Sequence, residues 1–177
     1  MSIKSVLRGL LYRKQSKQYY WDLRQKARSC PFAPLRWYYI HRHEQLMAKH
    51  NANIPYTTQI DGAPIFPHGL SGIYISAGAK IGKNCVLFHQ VSIGSNTLPD
   101  SKGQGFPTLG DNVYVGVGAK IIGNVTIGNN VRIGANCVVT ESIPDNATVV
   151  MERPRIIIKD TPQDNRFIPQ EQLRSGK

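Results

Sequence analysis

Two histidines are set apart by their spacing. His68 and His89 are each the third residue of a six-residue unit, Phe66-Pro-His-Gly-Leu-Ser and Leu87-Phe-His-Gln-Val-Ser, and they lie 21 positions apart. Imidazole is the usual general base for taking a proton from an alcohol near neutral pH. A second imidazole beside the first discourages its protonation and keeps it available as a base. The same pair could also be two surface residues on a sheet wall. A metal site would need a third ligand, such as Asp61 or a histidine from another subunit; no HxxxH or CxxC spacing supplies one, and no metal is expected. His41, His43 and His50 fall in a basic helical stretch and read as surface residues. No nucleophile-elbow, Walker or dinucleotide-binding glycine pattern is present.

The elements that must position the pair are repeats. Ile75, Ile81, Leu87 and Ile93 recur every six residues, and after a break Leu109, Val115, Ile121, Ile127, Ile133 and Val139 resume the phase. Four positions behind most of these lies a small or β-branched residue: Ala79, Cys85, Val91, Val113, Ala119, Val125, Val131, Cys137 and Ile143. Six is a multiple of the strand period of two and fits 3.6 poorly, so positions i and i+4 share one face of short extended segments. Gly82, Gly94, Gly110, Gly116, Gly128 and Gly134, with Asn84, Asn112, Asn129, Asn130 and Asn136, provide the turn residues. This is the pattern of a parallel β-helix, an all-β solenoid in which three hexapeptides make one triangular coil. A Gly-rich β-sandwich does not hold a six-residue phase for so long. A coil of 18 plus the three residues Gly72-Ile73-Tyr74 accounts for the interval of 21. The two imidazoles should therefore stand on successive coils, roughly 5 Å apart along the axis, pointing outward beside whatever the excursion loop covers.

Three segments follow: a basic helical segment over 1–52, the β-helix over 53–159 with an excursion loop at 95–108, and a tail at 160–177 expected to be extended or mobile. Residues 1–53 hold 11 Lys/Arg against 2 acids, so the charge of +11 belongs mainly to the N-terminal segment. There Ile3, Val6, Leu7, Leu10 and Leu11 form the apolar stripe of a basic amphipathic helix, which either lies on an anionic membrane surface or packs on protein. Two more helices are expected, from about Tyr19 to Ala27 and from Leu35 to about His50, separated by Pro31 and Pro34. Their aromatics, Tyr19, Tyr20, Trp21, Trp37, Tyr38 and Tyr39, read as a buried helical cap rather than a base-stacking surface; no nucleic-acid partner is expected. Asp61 and Asp111 read as structural turn residues, and 149–159 as a last strand leaving the coils. Cys85 and Cys137 are interior repeat positions, read with Cys30 as reduced thiols. No apolar run approaches the ~20 residues of a spanning helix, and residues 1–17 do not read as a signal peptide. A cytoplasmic location is expected, and the first helix would allow a place at the inner face of the membrane.

With Pro67-His68-Gly69, Gly72-Ile73-Tyr74-Ile75, Ala79-Lys80-Ile81-Gly82, Val91-Ser92-Ile93-Gly94 and Gly116-Val117-Gly118-Ala119-Lys120-Ile121-Ile122-Gly123-Asn124 in view, the chain resembles the left-handed β-helix hexapeptide acyltransferases. The similarity runs over about 53–159 and is strongest to the serine acetyltransferase branch. It implies a homotrimer using acetyl-CoA, with His68 as the base that removes the acceptor proton during direct attack on the thioester. It also implies a CoA groove near Val117, Gly134 and Ala135, with Lys120, Arg132, Arg153, Arg155 and Lys159 available to its phosphates.

Four departures count against serine as acceptor. The aspartate that orients the base in that branch aligns with Asn53, which could hold a ring without stabilising an imidazolium by charge. The Arg-His pair that meets the amino acid aligns with Gly105 and Phe106. The helical N-terminal domain is shortened, and the chain ends Ser-Gly-Lys without the branch's terminal isoleucine. The pattern is similar to the related acetyltransferases of capsule and exopolysaccharide synthesis, which implies a saccharide hydroxyl as acceptor; serine is the alternative.

Overall fold

The computed structural model describes residues 17–174. The amphipathic stretch at 3–11, and with it the membrane contact considered above, lies outside the described residues. Two helices open the description, α1 (Lys17–Ser29) and α2 (Ala33–Lys49). Pro31 separates them, and Pro34 sits in the first turn of α2, where a missing N–H is tolerated. Among the described residues no helix is long and apolar enough to cross a membrane.

The helices pack on each other and close one end of the core. Tyr20 and Met47 are buried there, and the Tyr20 ring meets Phe66 edge-on with centroids 5.7 Å apart. Arg24, also buried, donates through Nη2 to the carbonyl oxygen of Thr58, and Arg28 Nη1 reaches the same oxygen at 2.9 Å. The expected burial of aromatics is only partial, because Trp37 and Tyr38 are exposed, Trp37 stacking on His41 instead. His43 corrects the surface reading: it is 2% exposed, packed between Tyr20 and Tyr56. The buried stripe of α2 is narrow, and His43 and Met47 are the buried residues along it.

Twelve short strands follow among the described residues. The first four are β1 (Gln59–Ile60), β2 (Tyr74–Ile75), β3 (Lys80–Ile81) and β4 (Val86–Leu87). Next come β5 (Ser92–Gly94), β6 (Thr108–Leu109), β7 (Tyr114–Val115) and β8 (Lys120–Ile122). The last four are β9 (Thr126–Ile127), β10 (Arg132–Ile133), β11 (Val138–Val139) and β12 (Thr148–Val149). They form three parallel four-stranded sheets: sheet I joins β2, β5, β8 and β11; sheet II joins β1, β3, β6 and β9; sheet III joins β4, β7, β10 and β12. From β2 to β10 the chain visits the sheets in strict rotation, I to II to III, so each strand pairs with one from the preceding coil. Parallel bridges at Asn53–Tyr74, Ile65–Val86 and Ile127–Ile143 extend the same rotation at both ends.

The register confirms the repeat arithmetic. Thr108 pairs with Thr126 and Lys120 with Val138, 18 positions apart, while Asn53 pairs with Tyr74 at 21. In most strands the first residue is outward and the second buried. The i residues and their i+4 partners, from Ile75 and Ala79 to Cys137 and Val139, fill one continuous interior, with Ile143 partly buried at its margin. Asp111 is a turn residue in fact: its carboxylate accepts the Lys83 N–H at 2.7 Å, and Asn129 and Asp145 repeat that bond on the next storeys. Cys85 and Cys137 are buried free thiols and Cys30 is half-buried.

Two boundaries differ from expectation. Thr108 already belongs to β6, so the excursion closes at Pro107; Asn96 and Gly105 pair antiparallel across it. The last strand stops at Val149, and residues 150–160 run without regular structure and exposed; a short helix, α3 (Gln170–Arg174), lies in the tail.

The burial of His43 has a pH signature. Burial, with the nearby Arg24 charge second, lowers its pKa from 6.5 to about 4, and its Nε2 has no hydrogen-bond partner among the described residues. The unfolded chain binds this proton more readily than the folded one. The contribution to stability is therefore full above about pH 6.5 and lost as pH falls toward 4, on the order of 3 kcal/mol over that window. Thermal unfolding followed from pH 7 to pH 4 should show a falling midpoint, and His43→Gln should flatten that fall.

Candidate active site

His68 and His89 both lie where the chain passes from sheet III to sheet I. Backbone hydrogen bonds stack the turns of this edge. Gly72 N–H donates to the Asn51 carbonyl, Gln90 to Ser71, Gly118 to His89, and Asn136 to Val117. His68, His89, Val117 and Ala135 thus occupy successive storeys of one edge. Left-handed φ values at Gly72, Gln90, Gly118 and Asn136 repeat up it, and the missing side chain of Gly118 matters doubly, since a Cβ there would stand 2.1 Å from Asn136 Oδ1.

The imidazoles meet. Their Nδ1 atoms are 3.0 Å apart and their centroids 4.9 Å, the planes inclined by 43°. His68 is exposed and His89 half-buried. Phe88 stands edge-on to His68 at 5.3 Å and packs on Tyr114 at 5.2 Å, forming an aromatic wall on the sheet III side of the pair. The geometry holds one ring against the other through Nδ1, and among the described residues neither Nε2 has a hydrogen-bond partner, which suits proton abstraction at Nε2.

Asn53 pairs through its backbone: its N–H donates to Ile73 and its carbonyl accepts from Ile75. Its side chain is exposed and has no hydrogen bond among the described residues. The group that hydrogen-bonds to the His68 ring is His89.

The remaining candidates divide. Val117, Gly134 and Ala135 share the histidine edge, and Gly116 beside them is buried. A Cβ on Gly116 would stand 2.8 Å from the Ala135 nitrogen, so this turn stacks closely on the next. Arg132 is outward on β10, in register with Tyr114. The Lys120 ammonium donates to the carbonyls of Gln90 (2.7 Å) and Gly118 (2.8 Å), bracing the edge from the sheet I side. Arg153, Arg155 and Lys159 lie in the exposed stretch beyond β12. Among the described residues no three potential metal ligands come together.

The excursion loop is not beside the histidines of its own chain. It leaves between sheets I and II, a different edge, where Asn124 N–H donates to Gly103 and the Phe106 ring covers Gly78, to within 2.6 Å of where a Cβ would stand. Sequence spacing assigns the loop and the histidines each to a coil but not to an edge, so the expectation that they lie together is corrected by the sheet order.

Residues 106–141 match the bacterial transferase hexapeptide (six repeats) family model. No curated protein sequence matches the chain. Among solved structures, serine acetyltransferase isoform 3 from Entamoeba histolytica in complex with cysteine is 36% identical, with TM-score 0.59, over 70% of this chain and 43% of that one. Soybean serine acetyltransferase complexed with serine is 30% identical, TM-score 0.55, over 70% and 49%. The Neisseria gonorrhoeae enzyme in complex with serine is 26% identical, TM-score 0.53, over 68% and 48%. The chain spans less than half the length of each.

Charged hydrogen bonds to carbonyls contribute about 1.5–3 kcal/mol each when well formed. Lys120→Met is therefore expected to lower stability by roughly 2 kcal/mol, read as a reduced denaturant midpoint at unchanged m-value. An unchanged midpoint would free that ammonium for a ligand role.

Proposed function

We propose that the protein is an acetyl-CoA-dependent O-acetyltransferase built on a left-handed parallel β-helix, working as a cytoplasmic homotrimer. The observation that carries this reading is the hydrogen-bonded imidazole pair on the edge shared with the Val117 and Ala135 turns, in a chain similar to serine acetyltransferases. Sheet rotation and the hexapeptide match support the β-helix. Placement of the loop and the histidines on different edges supports sites shared between neighbouring subunits.

In the proposed reaction His68 Nε2 takes the proton of the acceptor hydroxyl as its oxygen attacks the thioester carbonyl. The C–O bond forms, the C–S bond breaks, and the proton passes from the imidazolium to the departing thiolate. No acyl-enzyme is required. The CoA chain would follow Gly116, Val117, Gly134 and Ala135, with Arg132, Arg153, Arg155 and Lys159 as cations for its phosphates.

The structural relatives favour serine as the acceptor, two of those compared being complexes with serine and one with cysteine. A saccharide hydroxyl is the second reading. Specific observations favour it: Gly105 and Phe106 stand where the similarity implies an Arg-His pair, with Phe106 turned onto Gly78, and Phe88 and Tyr114 offer an aromatic wall beside His68.

Release of free thiol from acetyl-CoA, measured with serine and with a panel of sugars and oligosaccharides, tests both readings. Release with serine places the protein in cysteine synthesis; release with a saccharide alone selects the second. His68→Ala is expected to lower kcat by about 10²–10⁴ with little change in unfolding midpoint, since the ring is exposed. An undiminished rate would remove His68 from the base role.

A further inference from the structure

We infer that His89 is the positioning residue of the base, taking the place that a carboxylate fills in a two-residue base–orienter arrangement; this rests on the acyl-transfer reading above. The argument is one of proton counting. Two Nδ1 atoms 3.0 Å apart share one hydrogen, one ring donating and the other accepting. A neutral imidazole that donates from Nδ1 carries its lone pair on Nε2, and one that accepts at Nδ1 carries its proton on Nε2. The contact therefore makes the rings unequal: one outer nitrogen is a base and the other a donor.

Which ring is which follows from their surroundings. His68 is the more exposed, fixed on one side by the edge of Phe88. His89 is half-buried, its backbone carbonyl accepts from Gly118, and the carbonyl of the next residue is held by Lys120. The ring that meets a reacting hydroxyl should be the exposed one, and the more buried ring its support. His68 thus donates from Nδ1 and presents the Nε2 lone pair; His89 accepts at Nδ1. When His68 takes the acceptor proton, it keeps its Nδ1–H bond to a neutral ring throughout. Among the described residues no carboxylate is hydrogen-bonded to either imidazole, and Asn53 makes no bond to them, so the acceptor here carries no charge. The titratable and charged groups on the neighbouring storeys are His50, Tyr74, Tyr114 and Lys120.

Substitutions at position 89 separate this role from packing. An asparagine Oδ1 sits at the same point of the side chain as the histidine Nδ1, so His89→Asn keeps a neutral acceptor. His89→Leu keeps comparable bulk and removes it. Thiol release should fall roughly 100-fold in kcat for His89→Leu, with KM for acetyl-CoA little changed, and recover most of that loss in His89→Asn. Long-range ¹H–¹⁵N correlation spectra of histidine-labelled protein give a readout independent of turnover. One ring of the wild-type pair, lost from the spectrum in His68→Ala, should be the Nδ1–H tautomer, and in His89→Leu the His68 ring should revert to the Nε2–H form usual for free imidazole. Equal rates in all three proteins, or a His68 ring already in the Nε2–H form in wild type, would overturn the inference. Failure of the wild type to release thiol with any hydroxyl acceptor, with the tautomer as stated, would instead overturn the transferase reading and leave the pairing intact.

Discussion

The structure depends on a constraint that acts every six residues: the chain must turn, keep a large aliphatic inside, and present its strand to the coil before it. Position i fills the interior between turns, and position i+4 fills it near a turn, where only small or β-branched residues fit; Ile81 with Cys85 and Ile133 with Cys137 show the pairing. A slip of one residue would bring the outward residues of every strand into the core. Each edge therefore becomes a column in which the same turn recurs at the spacing of stacked strands. The left-handed asparagines at 84, 112, 130 and 146 are one such column, and the amides of the last three link along it at 3.1 and 3.0 Å. A side chain placed at one turn is automatically aligned with its counterpart a coil later, and that is how the histidine pair arises.

A stack of coils has ends, and an end without a neighbour exposes its interior and its strand carbonyls. At the first coil the helices answer both needs. Tyr20 and Met47 extend the apolar interior, and Arg24 with Arg28 satisfies the Thr58 carbonyl. The arrangement buries Arg24 and His43 close together, which is why His43 is held neutral. Burial of the Tyr20 hydroxyl raises its pKa for the same reason, charge being disfavoured away from water. The far end is closed less completely: β12 is an edge strand of sheet III, and Val150 and Met151 beyond it are exposed.

Much of this was legible in the sequence because the repeat is arithmetic. The interior residues, the turn asparagines and the alignment of His68 over His89 follow from intervals of 6, 18 and 21, and the register reproduces them. What escaped was long-range and non-periodic. Arg24 is buried by a carbonyl 34 positions away, and nothing in its own neighbourhood marks that. His43 shares a helix with exposed His41, so a basic, His-rich stretch reads as surface unless the four-residue step from His43 to Met47 is taken as the buried stripe. Lys120 reads as a cation for a ligand, and only the stacked turns reveal two carbonyls within its reach.

Insertions locate function on such a scaffold, because the rotation from sheet to sheet permits extra residues only at the edges. This chain has two within the repeat. Three residues enter between sheets III and I, raising the interval there to 21 and freeing His68 from the turn pattern that Leu87 to Val91 otherwise imposes on the same edge. The longer one enters between sheets I and II, so that Lys80 pairs with Thr108, 28 positions on. The three sheets meet at separate edges, and the loop closes on its own edge through Gly78, Gly103 and Asn124. The histidines are consequently left open on the side away from the loop, bounded by Phe88 and Tyr114 on one sheet and by Lys120 on the other. Within a single chain the loop and the imidazole pair therefore stand on different edges, and the loop does not cover the pair.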